Sequence, residues 1–326
     1  MTVLVTGGAG YIGCHTVRAL RARGRDVVVL DTMETGHAKA LLGAPLVVGD
    51  VGDRDLVRRV VAGHGVDSVI HFAGYKNAGE SMQVPGKYFE NNVVGTARLL
   101  QAIEGTPVRS FVFSGSCSVY GTPTDLPVSE RAPLQPESPY GQSKLMDEQM
   151  LRWYGEVHGL RWMSLRYFNA SGASSDGVIG EDFTVTLNLV PLVMKATLGL
   201  RPAVQVFGTD FPTPDGTAVR DYSHVEDLAN GHLRALEHLE GGGDSGAVNL
   251  GTGTGSSVLE VVGMTERVSG RTVPYTEVGR RPGDPSAVWA DNRHAAEVLG
   301  WTPRHGLHEI VASAWRWHAE HPEGYA

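Results

Sequence analysis

The sequence predicts an α/β protein whose first half forms a doubly wound parallel sheet. Short apolar runs alternate with helical stretches over residues 1–169, and these runs are nearly continuous Val, Ile, Leu and Phe, as in strands covered on both faces. The chain also contains 42 glycines among its 326 residues without a repeat period, which indicates many tight turns between strands and helices. After residue 169 the alternation stops, so a smaller C-terminal domain over 170–326 is predicted.

The individual elements follow from their residues. The predicted strands are TVLVT (2–6), DVVVLD (26–31), PLVVGD (45–50), SVIHFAG (68–74), SFVFSGS (110–116) and RWMSLRYFN (161–169). One-sided apolar stripes predict the helices between them, with stripe residues Leu56, Val57, Val60, Val61, Leu99, Leu100 and Ile103. In the second half, a helical stretch at 186–199 lies between Gly/Pro-rich loops at 170–183 and 208–217. Segments of this half are expected to cross back to the first domain.

Composition excludes several classes of function. The net charge is −8, from 28 basic and 36 acidic residues, and no basic block is present, so nucleic acid and membrane surfaces are not expected partners. Cys14 and Cys117 lie far apart and no His pair has metal-ligand spacing, which favours a reduced, cytoplasmic protein without a metal. The first residues begin a strand rather than a signal peptide, and no apolar run approaches the ~20 residues of a membrane span.

The stretch TGGAGYIG (6–13) predicts a dinucleotide site. Gly7, Gly10 and Gly13 follow the first strand and open a helix, which is the context that a Rossmann-type fingerprint requires. Such glycines let the backbone approach a pyrophosphate at the helix N-terminus. Asp31 ends the second strand, where a carboxylate hydrogen-bonds the adenosine ribose and repels a 2′-phosphate, so NAD is favoured over NADP. Asp50 ends the third strand and is expected to face the adenine.

The stretch SPYGQSK (138–144) predicts the catalytic base. Ser138 and Pro139 suit the start of a helix, which places Tyr140 and Lys144 one turn apart on the same face. The helix follows a strand that ends in SGSCSVYG (114–121), and ligands of such sheets collect beyond the strand ends. A phenol with a pKa near 10 is a poor base at neutral pH. The Lys144 ammonium and a positive nicotinamide are expected to lower the pKa of Tyr140.

Together, these motifs resemble the extended short-chain dehydrogenase/reductase superfamily, and within it the UDP-glucose 4-epimerase family. The stretches that carry the narrower resemblance cover nearly the whole chain in the family's order. They are FAGYKNAGES (72–81), NNVVGT (91–96), SPYGQSKLM (138–146), LRYFNASGA (165–173), FGTDFPTPDGTAVRDYSHVEDLA (207–229), NLGTG (249–253), RRPGD (280–284) and WAD (289–291). The long stretch at 207–229 and RRPGD are far more specific than the glycines.

The resemblance implies a reaction, a cofactor and an assembly. The implied reaction is reversible epimerisation of UDP-glucose and UDP-galactose at C4, by transient hydride transfer to tightly bound NAD through a 4-keto intermediate. Tyr140 is then the base, Lys144 its electrostatic support, and Ser116 the hydroxyl that bonds the reacting sugar oxygen. A homodimer is also implied, formed by helices such as 85–104 and 138–158.

The resemblance further implies two sets of binding residues. The expected NAD-binding residues are Gly7, Gly10, Tyr11, Ile12, Gly13, Asp31, Asp50, Val51, Phe72, Ala73, Gly74, Lys76, Asn91, Ser114, Tyr140, Lys144 and Tyr167. The expected UDP-sugar-binding residues are Lys76, Ser116, Tyr140, Asn169, Asn188, Gln205, Val206, Phe207, Arg220, Arg281, Asp284 and Val288. The arginines suit this role because their forked guanidinium groups meet phosphate oxygens in a bidentate way.

Three departures from the family pattern leave alternatives open. Positions 184–189 read TVTLNL, so only Asn188 remains of a frequent Asn pair. Cys117 replaces a small residue, and its thiol is expected to be packed and inert. Val288 stands where many bacterial members have Tyr, which gives the hypothesis that an N-acetyl group at C2 of the sugar is admitted. The rival functions are a nucleotide-sugar 4,6-dehydratase or decarboxylase, and a catalytically silent NAD-binding regulator.

Overall fold

The computed structural model describes residues 1–326 except 184, 185, 187 and 282. Most strands in this part of the chain are short. They are β1 (Thr2–Thr6), β2 (Asp26–Asp31), β3 (Leu46–Val48), β4 (Val66–His71), β5 (Ser110–Ser116), β6 (Arg161–Tyr167), β7 (Asn169–Ser171), β8 (Val204–Phe207), β9 (Val219–Arg220), β10 (Tyr222–His224), β11 (Gly246–Leu250), β12 (Ser256–Ser257), β13 (Tyr275–Val278) and β14 (Ala287–Val288).

The helices range from a single turn to 20 residues. They are α1 (Tyr11–Ala22), α2 (Arg54–His64), α3 (Ala78–Ser81), α4 (Pro85–Tyr88), α5 (Gly95–Ile103), α6 (Pro139–His158), α7 (Leu189–Thr197), α8 (Val225–Glu240), α9 (Val258–Ser269), α10 (Arg293–Leu299) and α11 (Leu307–Glu320). A π-helical turn, Phe89–Val94, joins α4 to α5, and 3₁₀ turns occur at Ala38–Leu41 and Cys117–Tyr120. None of the described helices combines the length and the apolar character needed to cross a membrane.

A seven-stranded parallel sheet forms the centre of the molecule, in the order β11-β6-β5-β4-β1-β2-β3. The predicted doubly wound α/β class is therefore confirmed. Six of the strands come from the predicted positions, although β3 is shorter and β4 begins two residues earlier than predicted. The seventh, β11, comes from the second half and pairs with β6 along its whole length. The sequence analysis missed β11 because its five residues, GAVNL, stand outside the strand–helix alternation.

Two apolar cores cover the two faces of this sheet. On one face Val5 packs with Leu20 of α1 and Leu236 of α8. On the other face Leu4 packs in a cluster with α2, α5 and α6. The predicted stripe residue Val57 is fully buried there, and complete burial of such a side chain contributes about 1.5–3 kcal/mol. Since α8 belongs to the second half of the sequence, that half also covers the sheet built mostly by the first.

The observed bounds of two further segments also differ from the predicted ones. The run 161–169 does not remain in the central sheet: β6 ends at Tyr167, and Asn169 begins β7, which pairs with β10. The physical reason is that the backbone N–H and the side-chain amide of Asn169 both donate to the Asp221 carbonyl, each at 3.0 Å. The predicted helix at 186–199 is observed as the shorter α7 (Leu189–Thr197), and residues 184, 185 and 187 of the TVTLNL stretch lie outside the described residues.

Five buried histidines are expected to make the protein acid-sensitive. Burial lowers their pKa values, to about 4 for two of them and to about 3 for the others: His15 and His232, then His71, His224 and His318. They are neutral in the folded protein and take up a proton on unfolding, so their contribution is complete above pH 6.5 and is lost as the pH falls towards 3–4. At pH 5 each one lowers the free energy of unfolding by about 2 kcal/mol.

Denaturant unfolding between pH 5 and 8 measures this dependence. The slope of the free energy of unfolding against pH is proportional to the number of protons taken up on unfolding. In His318→Gln this number should be smaller by about one, because glutamine does not titrate. His308→Gln is the matched control, since the His308 side chain is 66% exposed. Equal slopes in the wild type and in His318→Gln would contradict the assignment.

Candidate active site

The glycine-rich turn lies against the carboxyl end of β4. Gly7 has φ +66°, and a Cβ atom there would lie 2.5 Å from the backbone nitrogen of Ala73. A Cβ atom at Gly13 would lie 2.4 Å from the Gly7 carbonyl oxygen. Helix α1 begins after Gly10 without a side-chain cap, so its N-terminal N–H groups face outward, where an anion binds favourably. The residues present therefore fit a dinucleotide pyrophosphate.

Asp31 is fixed at the end of β2, beside this turn. Its two carboxylate oxygens accept hydrogen bonds from the backbone N–H groups of Ala9 and Met33, both at 2.9 Å. The side chain is nearly buried, and each oxygen keeps a lone pair for a ribose hydroxyl. Asp50 is exposed after β3 and accepts from the Gly52 N–H at 2.7 Å. The structure thus places both acidic residues at the same sheet edge as the glycines.

The other predicted cofactor residues surround this edge. Tyr11 donates its hydroxyl to the Gly172 carbonyl at 2.6 Å, which joins α1 to the second half of the chain. The Phe72 ring packs on the His232 ring, with the centroids 4.6 Å apart. Three further predicted residues take part in the apolar packing along the sheet: Ile12, Val51 and Ala73.

Lys144 reaches from α6 to the carboxyl ends of β4 and β5. It is only 5% exposed, and its Nζ donates to the Ser114 carbonyl at 2.9 Å. Nζ also lies 4.6 Å from the centre of the Phe113 ring, and a Cβ atom at Gly74 would lie 3.8 Å from it. The hydroxyl groups of Ser114 and Tyr167 are hydrogen-bonded to each other. These predicted cofactor residues therefore lie together.

Tyr140 is held at the first turn of α6, as the sequence predicts. Ser138 caps the helix by accepting from the Gly141 N–H at 3.1 Å, and Pro139 occupies the first helical position. The Tyr140 backbone N–H donates to the Ser81 hydroxyl at 3.2 Å. Its ring lies edge-on to Tyr88, with the centroids 6.5 Å apart. Contacts on both sides thus fix the direction of the phenol.

The protein's own groups do not lower the pKa of Tyr140 as the sequence analysis expected. Burial raises the pKa to about 12, whereas a hydrogen bond with Ser116 opposes the rise. Lys144 donates to the Ser114 carbonyl, and burial lowers its own pKa. Ser116 in turn donates to the Ser118 hydroxyl at 3.0 Å and accepts from the Ser118 N–H at 3.2 Å. Any useful phenolate population therefore needs further positive charge near the phenol.

The second half brings several predicted substrate residues together at short strands. Arg220 forms an ion pair with Asp284, and it lies opposite Val288 in the β9–β14 pairing. The Arg281 guanidinium lies 3.6 Å from the centre of the Phe207 ring. On the same strand as Phe207, Val206 is buried and Gln205 is exposed. Arg220 is thus held by an acidic neighbour and Arg281 by an aromatic one, and guanidinium groups are suited to binding phosphate.

Val288 connects this region to the catalytic side. It is half-buried and packs against the cluster formed by Val119, Tyr120, Val128 and Leu145, against which Cys117 and Phe168 also pack. Cys117 directly follows Ser116, so Val288 and the residue next to Ser116 border the same apolar cluster. Burial raises the pKa of Cys117 to about 12, which keeps the thiol protonated and agrees with the expectation that it is inert.

Asn188 and Lys76 both lie beside Glu181. The Asn188 amide donates to the Glu181 carboxylate at 3.3 Å, and Lys76 Nζ lies 3.6 Å from the same oxygen. The Lys76 side chain is 60% exposed. Sequence reasoning missed Glu181, which sits in the loop GEDF (180–183), where no strand or helix pattern indicated a role.

Asn92 is a second residue that the sequence analysis missed. The analysis selected Asn91, but it is Asn92 that is buried, at 2% exposure. Its amide accepts from the Tyr75 N–H at 2.8 Å and donates to the Ser143 hydroxyl at 3.0 Å. It thereby ties the loop after β4 to α6. The doubled Asn in NNVVGT was the available signal, but the π-helical turn decides which of the two points inward.

One three-residue group among the described residues has metal-ligand types, namely His224, Glu226 and His305. Both ring nitrogens of His224 are already engaged: Nδ1 accepts from the Glu226 N–H at 3.1 Å, and Nε2 lies 3.0 Å from the Ser313 hydroxyl. His224 therefore serves as the N-cap of α8 and has no lone pair left for an ion.

Comparisons with known proteins agree with this geometry. The model of the NAD dependent epimerase/dehydratase family matches residues 3–251. A UDP-glucose 4-epimerase of Halalkalibacterium halodurans is 45% identical, over 100% of this chain and 98% of that protein. The structure of UDP-glucose 4-epimerase from Bifidobacterium longum in complex with NAD+ and UDP has a TM-score of 0.93 and 41% identity, covering 99% of this chain and 100% of that one.

A further structure is the UDP-Glc/GlcNAc 4-epimerase of Campylobacter jejuni. It has a TM-score of 0.86 and 35% identity, and the match covers 98% of this chain and 99% of that one. The matches extend over the glycine turn, the Tyr140 helix and the second-half strands alike. The chain belongs to the NAD dependent epimerase/dehydratase family.

Proposed function

We propose that the chain interconverts UDP-glucose and UDP-galactose by inverting C4 of the sugar, with NAD bound throughout. The main support is the convergence of Tyr140, Ser116 and Lys144 at the carboxyl end of β5, at the same edge of the sheet as the Gly7 turn. NAD, when bound, supplies reversible hydride acceptance, so the reaction involves no net oxidation. The named relatives, at about 45% identity over the full chain, support the same activity.

The site residues divide the work in this proposal. Arg220 and Arg281 hold the diphosphate, with Asp284 orienting Arg220. Ser116 bonds the 4-hydroxyl of the sugar, and Tyr140 takes the proton from that hydroxyl. The proton remains on Tyr140 and returns to the oxygen when the opposite face of the sugar is presented. The high pKa of Tyr140 in the protein alone makes the phenol a good proton store.

The rival functions fit the site less well. A 4,6-dehydratase needs an acid–base pair next to the strand-end hydroxyl, and here the 3₁₀ turn holds Cys117 and Ser118 at that place. A thiol with a pKa of about 12 does not serve as a general acid at neutral pH. A silent regulator would not need Tyr140 and Lys144 held together beside the glycine turn.

Incubation of the purified protein with UDP-galactose, without added NAD, tests the proposal. Formation of UDP-glucose is expected, because the cofactor accompanies the protein through purification. A 4-keto-6-deoxy sugar or released carbon dioxide would point to the dehydratase or the decarboxylase. If protein that contains NAD showed no turnover, the alternative of a catalytically silent NAD-binding regulator would be supported.

We also propose that the sugar pocket admits an N-acetyl group at C2. The support is Val288, whose side chain is smaller than the Tyr of many bacterial members; it pairs with Arg220 and packs against the same cluster as Cys117, the residue after Ser116. The Campylobacter jejuni relative, named a UDP-Glc/GlcNAc 4-epimerase, lends further support. UDP-GlcNAc and UDP-GalNAc are therefore proposed as additional substrates.

Val288→Tyr is expected to remove the additional activity selectively. The larger ring would occupy the space of the N-acetyl group, and overpacking of this size costs about 1–3 kcal/mol. The kcat/KM for UDP-GlcNAc should therefore fall at least about tenfold, whereas UDP-galactose turnover stays within about twofold. Val288→Ile is the matched control and should retain both activities. If the wild type turned over UDP-GlcNAc no faster than the background rate, the proposal that the pocket admits an N-acetyl group would be contradicted.

We propose a homodimer formed through α6 and the helical segment 85–104. Trp153 and Val157 lie one turn apart on α6 and are 56% and 67% exposed, which is an apolar stripe suited to a second copy. Sedimentation should therefore give twice the chain mass. Trp153→Glu should yield a monomer, whereas Val178→Glu, at a residue 45% exposed elsewhere, should not.

The remaining proposals concern organisation and location. We propose that 1–169 acts as the NAD-binding domain and 170–326 as the nucleotide-sugar-binding domain, with β11 and α8 of the latter built onto the sheet of the former. We propose a cytoplasmic location, which is supported by the two free cysteines, Cys14 and Cys117.

A further inference from the structure

Asp147 is a buried acidic residue of α6 that has only part of its hydrogen-bonding capacity satisfied. It follows Lys144 by three residues on α6, so the two side chains share one face of the helix. Asp147 is 1% exposed and Lys144 is 5% exposed. The Oδ1 atom of Asp147 is buried without a hydrogen-bond partner among the described residues. A carboxylate in such a place is costly unless a charge compensates it.

The other acidic residue near Lys144 already has a partner. Glu148 accepts from the Arg166 guanidinium through both carboxylate oxygens, at 2.5 and 2.9 Å, and also accepts from the Ser164 hydroxyl at 2.7 Å. Its charge is therefore matched by Arg166. Asp147 has no such arginine, and the positive charge that compensates it is that of Lys144.

The groups that surround the pair from other elements are neutral. Burial raises the pKa of Asp147, and both the positive charge of Lys144 and a hydrogen bond from the Thr96 hydroxyl of α5 oppose that rise. His71 of β4 lies 3.0 Å from the Thr96 oxygen through Nε2 and 2.6 Å from the Thr6 oxygen through Nδ1, and burial keeps this histidine neutral at physiological pH. Towards the active site, Lys144 faces Ser114, with Tyr167 and Tyr140 beyond it.

We propose that Asp147 is a positioning residue for the epimerisation, whose carboxylate holds the buried Lys144 protonated and in place at the end of β5. The positive charge of Lys144 then supports the ionised form of Tyr140 during proton transfer. This inference rests on the function proposed above. It also explains why a carboxylate occupies a position that an apolar side chain would fill at less cost.

The sign of the effect follows from charge alone. A nearby negative charge raises the pKa of a lysine, and loss of that charge lowers it. Without the carboxylate, Lys144 loses its proton at a lower pH, and the support for the Tyr140 phenolate is lost there too. The alkaline limb of the activity profile should therefore move towards neutral pH when Asp147 is neutralised.

Asp147→Asn in the NAD-containing enzyme tests the inference, with kcat for UDP-galactose measured from pH 6 to 10. The alkaline limb should shift down by about one pH unit or more, which is a tenfold loss of kcat at a fixed pH on the limb. The KM for UDP-galactose should not change, because Asp147 does not line the proposed sugar site. Asp147→Glu keeps the carboxylate, so its alkaline limb should lie at the same pH as that of the wild type.

Two further variants make the result decisive. Glu156→Gln removes the same charge from an exposed position of α6, and its profile should match the wild type. Thr96→Val keeps the carboxylate but removes the hydroxyl that favours its ionised form, so a smaller shift in the same direction is expected even if Asp147→Asn does not fold. Unshifted profiles in the folded variants would overturn the role of Asp147, whereas an inactive wild type would overturn the proposed function instead.

Discussion

Tyr140→Phe should lower kcat for the conversion of UDP-galactose to UDP-glucose by about a thousandfold while NAD remains bound. Loss of a positioned general base costs about 10²–10⁴ in rate. The phenyl ring keeps the edge-on packing against Tyr88, and the helix start depends on the backbone bond to Ser81 and the Ser138 cap, which the substitution leaves intact. The loss should therefore appear in kcat and not in the fold.

The amounts of UDP-galactose and UDP-glucose in reactions stopped at successive times give kcat. The NAD released when the protein is denatured gives the amount of cofactor that it retained. Tyr154→Phe is the matched control: it removes a hydroxyl from the same helix, one that donates to Glu104 at 2.7 Å, and should retain full activity. A Tyr140→Phe enzyme with more than a tenth of the wild-type kcat would exclude Tyr140 as the base. Loss of NAD from that variant would instead indicate a role in cofactor binding.

Gly7→Ala should remove NAD from the purified protein and destabilise the fold. An alanine at φ +66° costs about 1–2 kcal/mol. In addition, its Cβ would lie 2.5 Å from the Ala73 nitrogen, a backbone atom that cannot turn away as a side chain would. Overpacking adds about 1–3 kcal/mol and pushes the turn out of the place where the pyrophosphate binds. Cofactor binding and stability should therefore fall together.

Gly24→Ala separates the two causes. Gly24 has φ +72°, but nothing lies within 4 Å of the position of its Cβ atom. This control should lose only the 1–2 kcal/mol of backbone strain and keep its NAD. NAD content per chain and thermal unfolding in the presence of excess NAD measure both effects. Equal losses in the two variants would mean that the close approach to Ala73 has no role.

The first half of the fold was predictable because its signals are local. Strand β1, the glycine turn and α1 follow one another within 22 residues, and each has a sequence pattern of its own that predicts it. Likewise Ser138 and Pro139 fixed the start of α6. Strand β11 was not predictable, because its five residues become a strand only by pairing with β6, some 80 residues earlier in the chain.

The placement of Tyr140 and Lys144 on one helix face was predictable from the sequence, but the electrostatics around them was not. The Tyr-x-x-x-Lys spacing predicted that both side chains lie on one face of the helix. The pKa of Tyr140, however, depends on burial by residues distant in sequence. Asp147 is the clearest example: Asp-Glu in the middle of an amphipathic helix is typical of an exposed face, whereas both residues are buried here. Only tertiary packing reveals a charge at such a position.

The pairing of β11 with β6 has a consequence for synthesis of the chain on the ribosome. Until residue 250 has emerged, the sheet ends at β6 with an unpaired edge, and until residue 240 has emerged, α8 cannot cover its face. At about 5–20 residues per second, the interval between the two strands lasts roughly 4–16 seconds. A nascent chain in this state exposes the kind of open strand that chaperones protect from aggregation. The sheet of the first half therefore reaches its final form only after about half of the second half has been made.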